Sequence, residues 1–173
     1  MGLLRLLFKR SYAKRPPEGV DPCSSEEVRA ALLGLNGPDV PWAVRDGTPE
    51  GADLVAEWRL AEPAGRNFFI RHQLDRTLTI RMRLSAEERE VHAIEEQREV
   101  TWAGDPPRAQ VGRQWSRGPA RTVSKKWAIE RGPDGRRRLR ESFSFDSADM
   151  KQPVQDVVLK AGWAWRSVVP KDF

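Results

Sequence analysis

His72 and His92 are the only histidines in the chain, and acid–base or metal chemistry near neutral pH would have to begin with them. His72 stands three residues before Asp75, so a helix would place both on one face as a proton-transfer pair. Ordinary helices carry many such pairs, and the spacing alone assigns no activity. Neither histidine has a second His or a Cys at ligand spacing, so a transition metal would need carboxylates from distant segments. The plainer role for both is a surface or interface histidine, and no metal is expected. The lone Cys23 sits in a Pro-rich stretch without a neighbouring base, and no Gly-x-Ser-x-Gly elbow is present, which removes the usual forms of nucleophilic catalysis. No Gly-rich loop has phosphate-binding spacing, so no nucleotide cofactor is expected, and Gly132-Pro-Asp-Gly135 is a turn. Carboxylates cluster at Glu87, Glu88 and Glu90 and again at Glu95, Glu96 and Glu99. Arg89 and Arg98 interrupt both clusters, which is the pattern of solvated strand faces.

Binding chemistry is better represented. Arg113, Trp115 and Arg117 alternate along one candidate strand, Arg121, Lys125, Trp127 and Arg131 along the next, and Arg138 and Arg140 along a third. Such faces can stack bases between cations, as single-strand nucleic-acid binders do. Val123 and Ile129 flank Trp127, however, and mark that side as a core face. Arg stems can also cover apolar sheet edges while their heads pair with glutamates. The first ten residues are the other candidate. Leu3, Leu4, Leu7 and Phe8 with Arg5, Lys9 and Arg10 could form a short helix, apolar on one side and cationic on the other, suited to a partner's groove or an anionic membrane surface.

The charge excess belongs to that segment. The chain has 30 basic and 25 acidic residues among its 173, and Arg5, Lys9, Arg10, Lys14 and Arg15 precede the first acid, leaving a body of 25 basic against 25 acidic residues. A balanced body argues against nucleic acid as its main partner. Seven Trp and six Phe supply large apolar side chains for a core, which excludes a disordered chain. One Cys forbids an internal disulfide, and no apolar run approaches the ~20 residues of a membrane span, so a reducing cytoplasm is the expected location.

Residues 1–22 read as a basic apolar tail and Pro-rich linker, and residues 23–173 as a single domain. A first helix is expected over 26–35, N-capped by Ser24 or Ser25 and stopped at Asn36-Gly37. A short strand follows near Trp42, and 54–60 alternates with period two as a half-buried strand. Residues 67–74 read as a short helix. Thr77 to Leu84 is the cleanest strand, with Leu78, Ile80, Met82 and Leu84 inward. Ser85-Ala-Glu-Glu88 could open a helix as a capping box. The residues after it hold no helical stripe, so a turn at 86–89 and a strand over 90–102, bulged near Glu95-Glu96, are expected instead. Strands at 111–117, 122–131 and 138–145 follow, the last two joined by the Gly132 turn. A closing helix over 147–160 ends at Gly162, and a last strand covers 163–169. This order predicts an α+β fold: a curved antiparallel sheet or partial barrel of about six to seven strands, with an N-terminal helix, a short helix after the first strand and a C-terminal helix.

Arg45-Asp-Gly-Thr-Pro-Glu-Gly-Ala-Asp-Leu-Val-Ala-Glu-Trp-Arg59 and Ala161-Gly-Trp-Ala-Trp-Arg166 resemble motifs of a group of uncharacterised actinobacterial proteins of similar length. The similarity runs from about residue 24 to 169 and departs at Gly65 to Asn67, where bulky aromatics are expected. It implies no activity and lends no catalytic residue. The element order alone looks like the tubby-like and helix-grip folds.

The expected function is a non-enzymatic binding or adaptor domain. Trp42, Trp58, Arg113 and Trp115 are its candidate surface, and Leu4, Arg5, Phe8 and Lys9 dock the tail to a protein partner or membrane. The alternatives are a helix-grip ligand carrier or enzyme, with His72, His92 or Glu57 in a pocket between sheet and closing helix, and single-stranded nucleic-acid binding on the Trp/Arg face.

Overall fold

The computed structural model describes residues 13–59, 76–104, 108–117, 123–146, 148–169 and Phe173. The elements run β1 (Ala13–Lys14), α1 (Ser25–Leu33), β2 (Trp42–Asp46), a 3-10 turn (Thr48–Glu50), β3 (Leu54–Trp58), β4 (Arg76–Ser85), β5 (Glu90–Ala103), β6 (Arg108–Arg117), β7 (Val123–Arg131), β8 (Arg137–Asp146), α2 (Ala148–Lys160) and β9 (Ala164–Ser167). The fold is α+β, with an open, mixed sheet in the order β1-β9-β5-β4-β3-β2. β5 is long enough to serve several neighbours. Its Glu90–Ala93 segment pairs with β9, its Glu96–Ala103 segment pairs with β6, and β4 runs along it from Ser85↔Glu90 to Arg76↔Glu99. Among the described residues β7 and β8 form a separate two-stranded sheet.

Local chemistry accounts for the element boundaries. Ser24 caps α1: its hydroxyl accepts from the Glu27 backbone N–H, while the Glu27 carboxylate accepts from the Ser24 N–H at 2.7 Å. The sequence of Ser85 to Glu88 offers the same box but forms a turn, with Arg89 held at φ 53° so that β4 can double back as β5. Gly162, at φ 75°, ends α2 in a Schellman arrangement: its N–H donates to Leu159 O and the Trp163 N–H to Val158 O. A Cβ there would stand 2.8 Å from the Pro22 Cα. The linker is stitched to the same corner, with Cys23 N–H donating to Ala161 O and the Trp163 indole donating to Cys23 O at 2.8 Å.

The two helices cover one face of the sheet. Val28 and Leu32 of α1 and Met150, Val154 and Val158 of α2 pack on Leu54, Ala56, Leu78, Ile80, Met82, Val91 and Ala93, with Trp163 and Trp165. Each such large side chain contributes roughly 1.5–3 kcal/mol relative to exposure. At the free edge, β2 is protected by Asn36, whose amide donates to Val44 O at 2.8 Å and accepts from Val44 N–H at 2.7 Å.

Several expectations change. The sheet is mixed, because β9 returns parallel to β5. Ala13–Lys14, expected in the tail, pairs with β9 as a sheet strand. The irregularity in β5 falls between Arg98 and Val100, not at Glu95-Glu96. Ile129, read as part of a core face, is 68 % exposed. The helix expected at 67–74, with Gly65 to Asn67, lies outside the described residues.

Candidate functional site

The face of the sheet away from the helices carries the site. Strand parity puts Val55 and Glu57 of β3, Thr77, Thr79 and Arg81 of β4, and Glu96 and Arg98 of β5 on this side. With Arg45 and Trp58 they line a pocket of about 390 Å³. Its floor is apolar, since Val55 is fully buried, and Thr77 is also buried.

Charge surrounds that floor. Arg45 donates to Glu57 Oε1 at 2.6 Å and Oε2 at 3.2 Å, and to Glu50 Oε1 at 2.5 Å and Oε2 at 3.1 Å. The hydrogen bonds that Arg45 donates to Glu50 and then to Glu57 raise its pKa, making it a fixed cation. The same guanidinium holds the Glu50 carboxyl below its ordinary range. On the other side Arg98 donates to Glu96 Oε1 at 2.7 Å through Nε, and Arg81 approaches Glu96 Oε2 at 3.7 Å. The Phe173 ring lies 4.5 Å from the Arg83 guanidinium and 5.9 Å from that of Arg81, a cation–π contact beside the site.

Farther along the same face, Arg166 donates to both oxygens of Glu90, at 2.6 and 2.5 Å, and His92 Nε2 lies 3.1 Å from Glu88 and from Glu90. The Arg166 hydrogen bonds hold the Glu90 pKa down. Glu88, Glu90 and His92 are spaced as metal ligands could be. The guanidinium already occupies both Glu90 oxygens and supplies the positive charge a cation would bring, so the group is an ion-pair network.

The expected site residues are divided by this geometry. Trp42 and Trp58 face each other across β2 and β3 and are each 6 % exposed, so they belong to the core and form no exposed surface. Trp58 also reaches the pocket wall. Arg113 and Trp115 lie on β6, where Trp115 pairs with Arg98, and β7 and β8 stand in the other sheet. Glu57 and His92 lie on the face away from the helices, and the described space between sheet and α2 is packed core. Leu4, Arg5, Phe8, Lys9 and His72 lie outside the described residues. Glu95 and Glu96, expected in solvent, are 2 % and 7 % exposed. With no bulge at that point the alternation from Val91 and Ala93 continues, which turns Glu95 toward α2 and Glu96 into the pocket. Glu95 Oε1 accepts from Lys151 at 2.7 Å and from Ser167 at 3.2 Å. Arg45 and Glu50 were missed as site residues; their signal was the hairpin motif that carries both. No helix among the described residues is long and apolar enough to cross a membrane. No family model, curated protein or solved structure matches this chain.

Proposed function

We propose that the chain is a non-enzymatic binding domain that takes its ligand in the pocket over β3, β4 and β5, while the basic apolar N-terminal segment docks to a protein partner. The observation that carries this reading is the pocket's lining: paired guanidiniums and carboxylates around a buried valine and two threonines. Fixed, complementary charges over an apolar floor suit recognition, because they orient a ligand and reject mismatched ones. They suit proton transfer poorly, since the Arg45 hydrogen bonds hold the Glu50 carboxyl below its ordinary range and so weaken it as a base.

The test is a fragment screen by thermal shift on the wild-type chain and on Thr79→Trp. Thr79 lines the pocket from the middle of β4, and a strand tolerates the indole that would fill it. Compounds that raise Tm in the wild type and lose the effect in Thr79→Trp are expected. A screen in which every hit acts equally on both proteins overturns the assignment of the pocket.

A further inference from the structure

The pocket's charges follow one another in alternating sign. Glu57 and Glu50 share Arg45, and Arg81 and Arg98 share Glu96. The Arg81 charge in turn helps to hold the Glu50 carboxyl ionised, which joins the two halves. The series therefore runs from a carboxylate at Glu57 to a guanidinium at Arg98, with net charge zero. Its ends are accessible, since the side chains of Glu57 and Arg98 are 38 % and 42 % exposed. They are also near each other across the sheet. Glu57 pairs with Thr79, Thr79 pairs with Glu96, and Arg98 is the next residue of β5 on the same side. One strand separates them, and that strand presents the hydroxyls of Thr77 and Thr79 to the gap.

We propose that this gap takes a zwitterion the size of a dipeptide or an ω-amino acid, its ammonium joining Glu57 and its carboxylate joining Arg98. The proposal rests on the pocket being the binding site. Two strand spacings and the two-residue step from Glu96 to Arg98 along β5 separate the Cα atoms of the end residues by about 12 Å. A charge-assisted hydrogen bond of about 2.8 Å at each end leaves roughly 6 Å between the ligand's own charges. That span fits the amino and carboxyl groups of an extended dipeptide, at about 3.3–3.6 Å per residue. A lone anion would meet Glu57 across the gap, and a lone cation would meet Arg98, so a ligand with a single charge leaves one end repelling it. An uncharged ligand would forgo both ends.

The experiment is a two-dimensional amide NMR titration of the full chain with the dipeptide Gly-Val, its N-acetylated form, its C-amidated form and the doubly capped form. Shifts confined to β3, β4 and β5 are expected with Gly-Val, with affinity at least tenfold above either singly capped form. Glu57→Gln is expected to abolish discrimination against N-acetylation alone, and Arg98→Gln discrimination against C-amidation alone. Arg98→Lys keeps a cation beside Glu96 and is expected to retain most of the preference, which separates lost recognition from lost folding. Binding of the doubly capped peptide within threefold of Gly-Val overturns the proposal, as does the absence of any shift at tens of millimolar. In either event hits blocked by Thr79→Trp would leave the pocket as a binding site for another ligand class, while a screen without such hits would remove both readings.

Discussion

Lys151→Met would strand a carboxylate in the interior. Glu95 is 2 % exposed, and its Oε1 accepts from Lys151 at 2.7 Å and Ser167 at 3.2 Å. Removing the lysine leaves Glu95 with a single hydroxyl donor. Breaking a fully buried pair from one side costs about 3–5 kcal/mol. The Lys151 side chain is 20 % exposed, which places the expected loss near the lower end, about 3 kcal/mol or two decades in the folding equilibrium. Glu95→Leu should cost less, about 1–2 kcal/mol, because the orphaned lysine can turn its ammonium to solvent along its flexible stem. The double variant Glu95→Leu/Lys151→Met should return to within about 1 kcal/mol of wild type, since matched apolar groups replace buried ion pairs at little cost. Urea unfolding followed by tryptophan fluorescence measures all four proteins, Trp163 and Trp165 being buried reporters near α2. A double variant as unstable as Lys151→Met, or a Lys151→Met loss under about 1 kcal/mol, would show that the pair is not desolvated.

Gly162→Ala must hold a left-handed backbone and bring a methyl group within 2.8 Å of the Pro22 Cα, so a loss of at least about 2 kcal/mol is expected in the same urea assay; an unchanged midpoint would refute it. Asn36→Leu removes both amide bonds from the β2 edge and should cost about 1–3 kcal/mol and produce concentration-dependent association by light scattering, whereas a stable monomer would show the edge needs no cover. Arg166 holds the Glu90 pKa below its unfolded value of about 4.3, so the stabilisation is present above that pH and is lost as pH falls through the folded value. The stability gap between wild type and Arg166→Gln should therefore be wider at pH 7 than below about pH 4, and a gap that is unchanged from pH 7 to pH 2 would contradict the pairing.

Local signals in the sequence located most elements. Alternation in β4 placed Leu78, Ile80 and Met82 inward, Ser24 or Ser25 marked the start of α1, where Ser24 is the cap, and Gly162 closed α2. Nonlocal pairing was not legible. The parallel return of β9 onto β5 and the addition of β1 depend on strands more than 70 residues apart, for which no local pattern exists. One misplaced irregularity had a large effect on the site. The interleaved arginines pointed Glu95 and Glu96 to solvent, but with the irregularity at Arg98 and none at Glu95-Glu96 the alternation continues and buries both. The pocket's charge series was hidden for the same reason, since Arg45–Glu57 and Arg98–Glu96 become neighbours only once the register is known.

Tryptophan was a poor guide to the binding surface because its large apolar area is worth most in the core, where Trp42, Trp58, Trp163 and Trp165 all lie. The opposite face has a different problem: Val55 and Ile94 are buried there, yet their neighbours are Arg and Glu. Arginine and glutamate stems can cover those residues while the heads pair above them, which accounts for part of the network. It does not account for all of it. Partly exposed ion pairs contribute at most about 1 kcal/mol each, so apolar or threonine side chains would stabilise this face as well. The zwitterion proposed above would join the two ends of this alternating series, Glu57 and Arg98, across the two threonines, and so give the charges a role that the fold alone does not.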